Sequence, residues 1–151
     1  MDAGGTSKES LRLWLRLLTC TAMAEGELRR RLRAEFATTL PRFDLLAALH
    51  RAPEGLTLGE VSRRMMVSNG NVTGLASRME AEGLVERRLD AGDRRAFRLR
   101  LTARGEREFA RQSQAHEGWV AELLAGLDPG DGQALHRLLG HAKTSISKAI
   151  A

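Results

Sequence analysis

Between Leu56 and Thr102 the apolar residues change their spacing from a helical period to strand-like alternation, which leaves few ways for this stretch to fold. Thr57 and Glu60 open it at the spacing where each side chain can bond the other's backbone amide and start a helix. Leu58, Val61 and Met65 give that helix one apolar edge over about two to three turns. Ser68 is suited to cap a second helix, in which Val72, Leu75, Ala76 and Met79 recur at helical spacing. Leu84–Leu89 and Ala96–Leu101 then read as strands, the second turning Phe97, Leu99 and Leu101 inward and Arg98 and Arg100 outward. The intervening DAGDRR predicts a hairpin loop with Gly92 at its tip, and Thr102 caps the helix that follows.

A bracing helix, a tight turn, a second helix and a basic hairpin make a winged helix-turn-helix, a shape that fits duplex DNA. The expected reader is the second helix, whose polar face carries Asn69, Asn71, Thr73, Ser77 and Arg78 behind the cap Ser68. Short polar side chains carry donors and acceptors, and Asn can pair bidentately with adenine in the major groove. An ordinary solvated helix face has the same composition. Gly70 and Gly74 weigh against that blander reading, since a glycine inside a helix costs roughly 1 kcal/mol relative to alanine and close approach to DNA would compensate it. In the hairpin, Arg94 and Arg95 are expected to enter a narrow minor groove, with Asp93 orienting a neighbouring guanidinium. A solvated charge cluster at a turn is the alternative there.

The chain has 151 residues, a hydrophobic fraction of 42% and a net charge of +5, which suit one folded subunit with an anionic partner. Arg87, Arg88, Arg94, Arg95, Arg98, Arg100, Arg104, Arg107 and Arg111 crowd the hairpin and the next helix. The lone Cys20 excludes an intramolecular disulfide, and without a leader or long apolar span a cytoplasmic protein with no membrane partner is expected. After a frayed start, Leu11, Trp14, Leu15, Leu18 and Ala22 form one helical stripe, flanked by Leu13, Leu17, Cys20, Ala24 and Leu28. Thr39 and Pro41 open another helix that carries Phe43, Leu45, Leu46 and Leu49. Near the C-terminus, Leu135, Leu138, Leu139, Ala142, Ile146 and Ile150 line one face. Such long apolar faces exceed what a small central module covers, so a homodimer is expected, with two reading helices about one duplex turn apart on a roughly palindromic site. The fold class is therefore mainly α with a small β-hairpin wing. Its divisions are an N-terminal dimerisation helix at 1–36, a DNA-binding lobe at 37–104 and C-terminal dimerisation helices at 105–151.

The run LTLGEVSRRM, VSNGNVTGLASRMEAEGLVER and DAGDRRAFRLRLTARG resembles the MarR family of bacterial transcription regulators over nearly the whole chain. The resemblance implies a homodimeric repressor released from DNA by a small ligand. By it, Ser68, Asn69, Asn71, Thr73 and Arg78 match recognition-helix positions, and Arg94 and Arg95 match the wing. Gly74 stands where many relatives carry a basic residue, and Ala91-Gly92 where a Pro and a basic residue are frequent, so no operator is carried over. Many relatives bind aromatic carboxylates between the dimerisation helices and the DNA-binding lobe, which makes Trp14, Arg16, Arg42, Phe43 and Trp119 the ligand candidates. The stretch TTLPRFDLLAALHRAPEGLTLGEVSRRMMVSNGNVTGL is similar to regulators of aromatic-acid breakdown that respond to coenzyme A thioesters.

Two other readings are weaker. Redox sensing at Cys20 lacks the tyrosines that hold the thiolate in such sensors, and the thiol lies in an apolar stripe. A winged helix used only for protein docking would not need a basic wing. Metal sensing is disfavoured, because of His50, His116, His136 and His141 only the last two are close, at a spacing poor for shared coordination. No phosphate-binding glycine loop, nucleophile motif or metal-ligand cluster is present, so neither enzymatic activity nor a cofactor is expected.

Overall fold

The first helix, α1, runs from Ala3 to Phe36, well ahead of Leu11 and through the start expected to fray despite Gly4 and Gly5, with the Ser10 hydroxyl bonding back to the Thr6 carbonyl at 2.9 Å. The structure is a computed structural model that describes residues 3–65, 69–90 and 92–151, with the backbone alone at residues 3–5, 69 and 93–95. Helix α1 stops at Ala37, whose φ of 52° puts it in the left-handed region. There the amides of Ala37 and Thr38 bond the carbonyls of Arg33 and Leu32, closing the helix end.

Helix α2 spans Leu40–His50 and starts as the sequence indicates, with Thr39 Oγ1 accepting from the Arg42 amide and Pro41 in the first turn. Helix α3, Leu58–Met65, has the reciprocal capping box: the Thr57 amide donates to Glu60 Oε2 at 3.0 Å, and the Glu60 amide to Thr57 Oγ1 at 3.2 Å. Helix α4 spans Asn69–Ala81, and its proposed cap, Ser68, lies outside the described residues. Strands β1, Val85–Asp90, and β2, Asp93–Leu101, pair antiparallel, Val85 against Leu101 and Leu89 against Phe97. Helix α5 spans Ala103–Leu123, and α6 spans Pro129–Ile150.

The hairpin is tighter than expected. The strands reach Asp90 and Asp93, so Arg94 and Arg95 belong to β2 and not to a six-residue loop. One cause is visible at the corner, where the Asp90 carboxylate accepts the Gly92 amide at 3.1 Å and turns the chain early. A third pairing, absent from the sequence reading, joins Leu56 to Leu99 by two backbone hydrogen bonds of 3.0 and 2.7 Å. Gly55, at φ 91°, makes this approach possible, since a Cβ there would lie 2.8 Å from the Arg100 side chain.

Two compact units result, residues 1–117 and 118–151. In the first, Leu45, Leu46 and Leu49 of α2, Val61 of α3, Val72, Ala76 and Met79 of α4, and Val85 and Leu99 of the hairpin share one core. Leu58, Met65, Leu101 and Phe109 pack against it. In the second, no residue of α6 is buried, and Leu135, Leu138, Leu139, Ile146 and Ile150 are exposed. The first half of α1 is similarly bare at Leu11, Leu13, Trp14, Leu15 and Leu18. Among the described residues no helix is long and apolar enough to cross a membrane.

Candidate nucleic-acid interface and an adjoining cavity

The two faces of α4 differ sharply. Val72, Ala76 and Met79 have no accessible surface and Leu75 is nearly closed, so burial fixes how the helix is rotated. Asn71, Thr73, Ser77 and Arg78 are consequently exposed together on the other side. The side chain of Asn69 lies outside the described residues. A Cβ on Gly70 would meet nothing within 4 Å, and one on Gly74 only Arg78 Nη1 at 3.7 Å. Among the described residues no packing explains either glycine.

Much of the arginine cluster has internal work, contrary to its appearance in the sequence as a loose basic patch. Arg87 of β1 reaches across to α4, with Nη2 donating to Ser77 Oγ at 3.0 Å and Nε 3.2 Å from Glu80 Oε1, and its guanidinium lies 4.6 Å from the centre of the Phe97 ring. Ser77, a predicted DNA contact, is thus also an anchor for the wing. Arg98 donates to the Gly55 carbonyl at 3.2 Å and pairs with Asp90 at 3.4 Å and Glu60 at 3.5 Å, tying the hairpin to the cap of α3. Arg88 pairs with Glu86, Arg111 with Glu108, and Arg104 bonds the Glu82 carbonyl. The side chains of Asp93, Arg94 and Arg95 lie outside the described residues. At the described corner of the hairpin, Asp90 pairs with a guanidinium, that of Arg98, and its carboxyl is held below its usual range first by the Gly92 amide and then by Arg98. The Asp-x-Gly spacing was the available signal for it.

The five ligand candidates are not gathered around one hollow. Arg42 lines a cavity of about 700 Å³ between α1, α2 and α4, together with Arg29, Arg30, Arg33 and Arg78. Phe43, next in sequence, faces elsewhere: it is buried, stacks on Phe109 and His116, and lines a smaller cavity of about 340 Å³ with Asp44, Arg51 and His116. Trp14 and Arg16 are exposed on α1 and line neither cavity, while Trp119 is a buried residue of the second unit. Adjacent residues of a helix diverge by about 100°, so Arg42 and Phe43 point apart. The arginines of α1 were missed because charges on a long helix read as a solvated face. Cys20, assigned to an apolar stripe, is exposed.

A helix clamped by its apolar side, a polar face left open and a basic hairpin braced against it define a winged helix-turn-helix regulator. The chain belongs to the MarR family, whose sequence profile matches residues 38–96. It is a transcriptional regulator and not an enzyme. It is 33% identical over 132 residues to the transcriptional activatory protein BadR of Rhodopseudomonas palustris, a match covering 85% of this chain and 75% of BadR. The crystal structure of a MarR family transcriptional regulator from Silicibacter pomeroyi superposes with a TM-score of 0.79 at 33% identity, covering 93% of this chain and 97% of that one. Sco3205 of Streptomyces coelicolor, solved in complex with DNA, has the same fold: TM-score 0.78, 19% identity, covering 91% and 88% of the two chains.

Proposed function

We propose that this regulator binds duplex DNA as a homodimer, with α4 in the major groove and the tip of the β1–β2 hairpin in the adjoining minor groove. The observation that carries the reading is the division of α4: one side has no accessible surface, while Asn71, Thr73, Ser77 and Arg78 stand in the open. On this reading Asn69 and Asn71 read bases, Ser68, Thr73, Ser77 and Arg78 support them, and Arg94 and Arg95 supply groove and phosphate contacts beside Asp93. The segment 37–104 is the DNA-binding lobe, and the bare apolar stripes of 1–36 and 105–151 are the dimer surfaces. The complex with Sco3205 supports the mode of docking by shape.

The sign we propose is repression, relieved when a small aromatic acid or its coenzyme A thioester shifts the dimer to a spacing that fits successive major grooves poorly. Arg42 is the ligand candidate that lines the large cavity. BadR is named as an activator, and the same shift at a site upstream of a promoter would act in the opposite sense. Selection of genomic fragments by the purified protein tests the reading. Recovery of a roughly palindromic site, bound by one dimer and more weakly by Asn71→Ala with blurred preference, supports it. A protein that ignores DNA at low ionic strength refutes it in favour of a docking module.

A further inference from the structure

We infer that Leu89 is a DNA contact that packs against the deoxyribose edge of the strand running between the two grooves; this deepens the DNA-binding reading above and rests on it. Among the described residues of the segment 37–117, Leu89 is the one large apolar side chain left exposed, at 74%. Its place in the hairpin sets the direction it faces. Residues directly opposite one another in an antiparallel hairpin share a face, and here Val85 is opposite Leu101, Arg87 opposite Leu99 and Leu89 opposite Phe97. At its base this face is closed, with Val85 and Leu99 buried and Leu101 packed on the core. Further out Arg87 covers part of it, the guanidinium 4.6 Å from the centre of the Phe97 ring. Leu89 carries the apolar face one step beyond, where no described residue covers it.

This face looks toward α4, because Arg87 donates to Ser77 Oγ at 3.0 Å and lies 3.2 Å from Glu80. Leu89 stands two residues further along the strand, a distance of about 7 Å, on the same side of the hairpin. A helix in the major groove and a hairpin in the adjoining minor groove have one sugar-phosphate strand between them. Leu89 meets that strand. Its surroundings are continuous with the open face of α4 through the Arg87–Ser77 bond, and the exposed Arg88 beside it belongs to a basic hairpin that suits a polyanion. Leucine cannot bond a phosphate, so the part of the strand that matches it is the C–H edge of the sugar. The contact takes water from that edge and offers no donor or acceptor in return, and a 2′-hydroxyl placed there loses its solvent without gaining a partner. Leu89 thus favours deoxyribose over ribose, and its contribution does not come from counterion release.

Fluorescence anisotropy on the full chain, with the duplex recovered by the genomic selection above, tests this. Leu89→Asn should weaken binding about tenfold. The slope of log affinity against log salt should keep the parent's value, because no cation has been removed. Since Leu89 is exposed, the variant should melt at the parent's temperature, which separates a lost contact from a lost fold. In a second arm, deoxynucleotides through one half of the site are replaced one at a time by ribonucleotides. At one position or more the parent should lose about fivefold in affinity and Leu89→Asn nothing, the non-additivity that marks a direct contact. Equal affinity of variant and parent overturns the inference, as does a shallower salt slope or a scan without such a position. Coupling found only with thymine-to-uracil replacement overturns the sugar contact in favour of a base methyl. A parent chain that binds no duplex at low ionic strength loses the function proposed above, whereas one that binds and is indifferent to Leu89 loses this inference alone.

Discussion

Glycines at 74 and 105 look alike in the sequence and face opposite constraints in the structure. Around Gly74 there is ordinary space, so alanine should remove the helix penalty and raise stability by about 1 kcal/mol. If α4 presses its backbone against DNA, the same methyl lowers affinity, and Gly74→Ala should therefore separate a higher melting temperature from weaker operator binding by fluorescence anisotropy. Unchanged binding would mean that the backbone at this point stays clear of the duplex. At Gly105 a Cβ would lie 2.0 Å from the carbonyl oxygen of Leu84, a backbone atom that cannot turn aside. The first turn of α5 sits directly on the end of the α4–β1 connection. Gly105→Ala should cost about 3 kcal/mol in urea unfolding, since either the helix or the strand must move.

Among the elements, the best-determined relation is that between α4 and the hairpin. Arg87 contacts Ser77, Glu80 and the face of Phe97 at once, so one side chain fixes helix against strand. Arg87→Ala should lower stability by about 1 kcal/mol, the size of one partly exposed ion pair with its cation–π contact. A double-mutant cycle with Glu80→Ala should then return a coupling energy of the same order, and strict additivity would show that the contact carries no energy. The helices themselves were legible, because amphipathic spacing and caps such as Thr57 with Glu60 are local signals. The strand partner at Leu56 was not, because a single pairing leaves no periodicity to read. Nor were the roles of Arg87 and Arg98, since chain-distant ion pairs are set by topology and an arginine's partner is not written beside it. The candidate site was legible as a helix face. Its adjoining cavity was not, because it is assembled from α1, α2 and α4, elements whose packing angles no spacing encodes.

For the molecule as a whole, pH and association offer tests. Partial burial holds the imidazole of His116, which stacks on Phe43, below its usual range. The unfolded chain then takes up the proton first, so the stabilising contribution is complete above about pH 6.5 and is lost as pH falls through the lower, folded value. Glu27, held at about 2 by its bonds to Arg30 and Arg31, works lower: its contribution is present above the ordinary glutamate value of about 4.3 and fades as pH falls through the folded one. Unfolding followed from pH 7 to 5 should therefore show a decline that His116→Phe flattens. Association should depend on the bare stripes of α1 and α6. A charge at Leu138, which is 53% exposed, should shift sedimentation from dimer to monomer without loss of helicity. A dimer unaffected by Leu138→Glu would place the contact elsewhere.

The brace formed by Arg87 also bears on how a lineage of such regulators can diversify. With Arg87 joining helix to hairpin, the proposed docking into two neighbouring grooves would keep the spacing between them fixed. On that reading, new target sequences are reached by exchanging outward residues of α4 while the brace and the shared core behind it are kept.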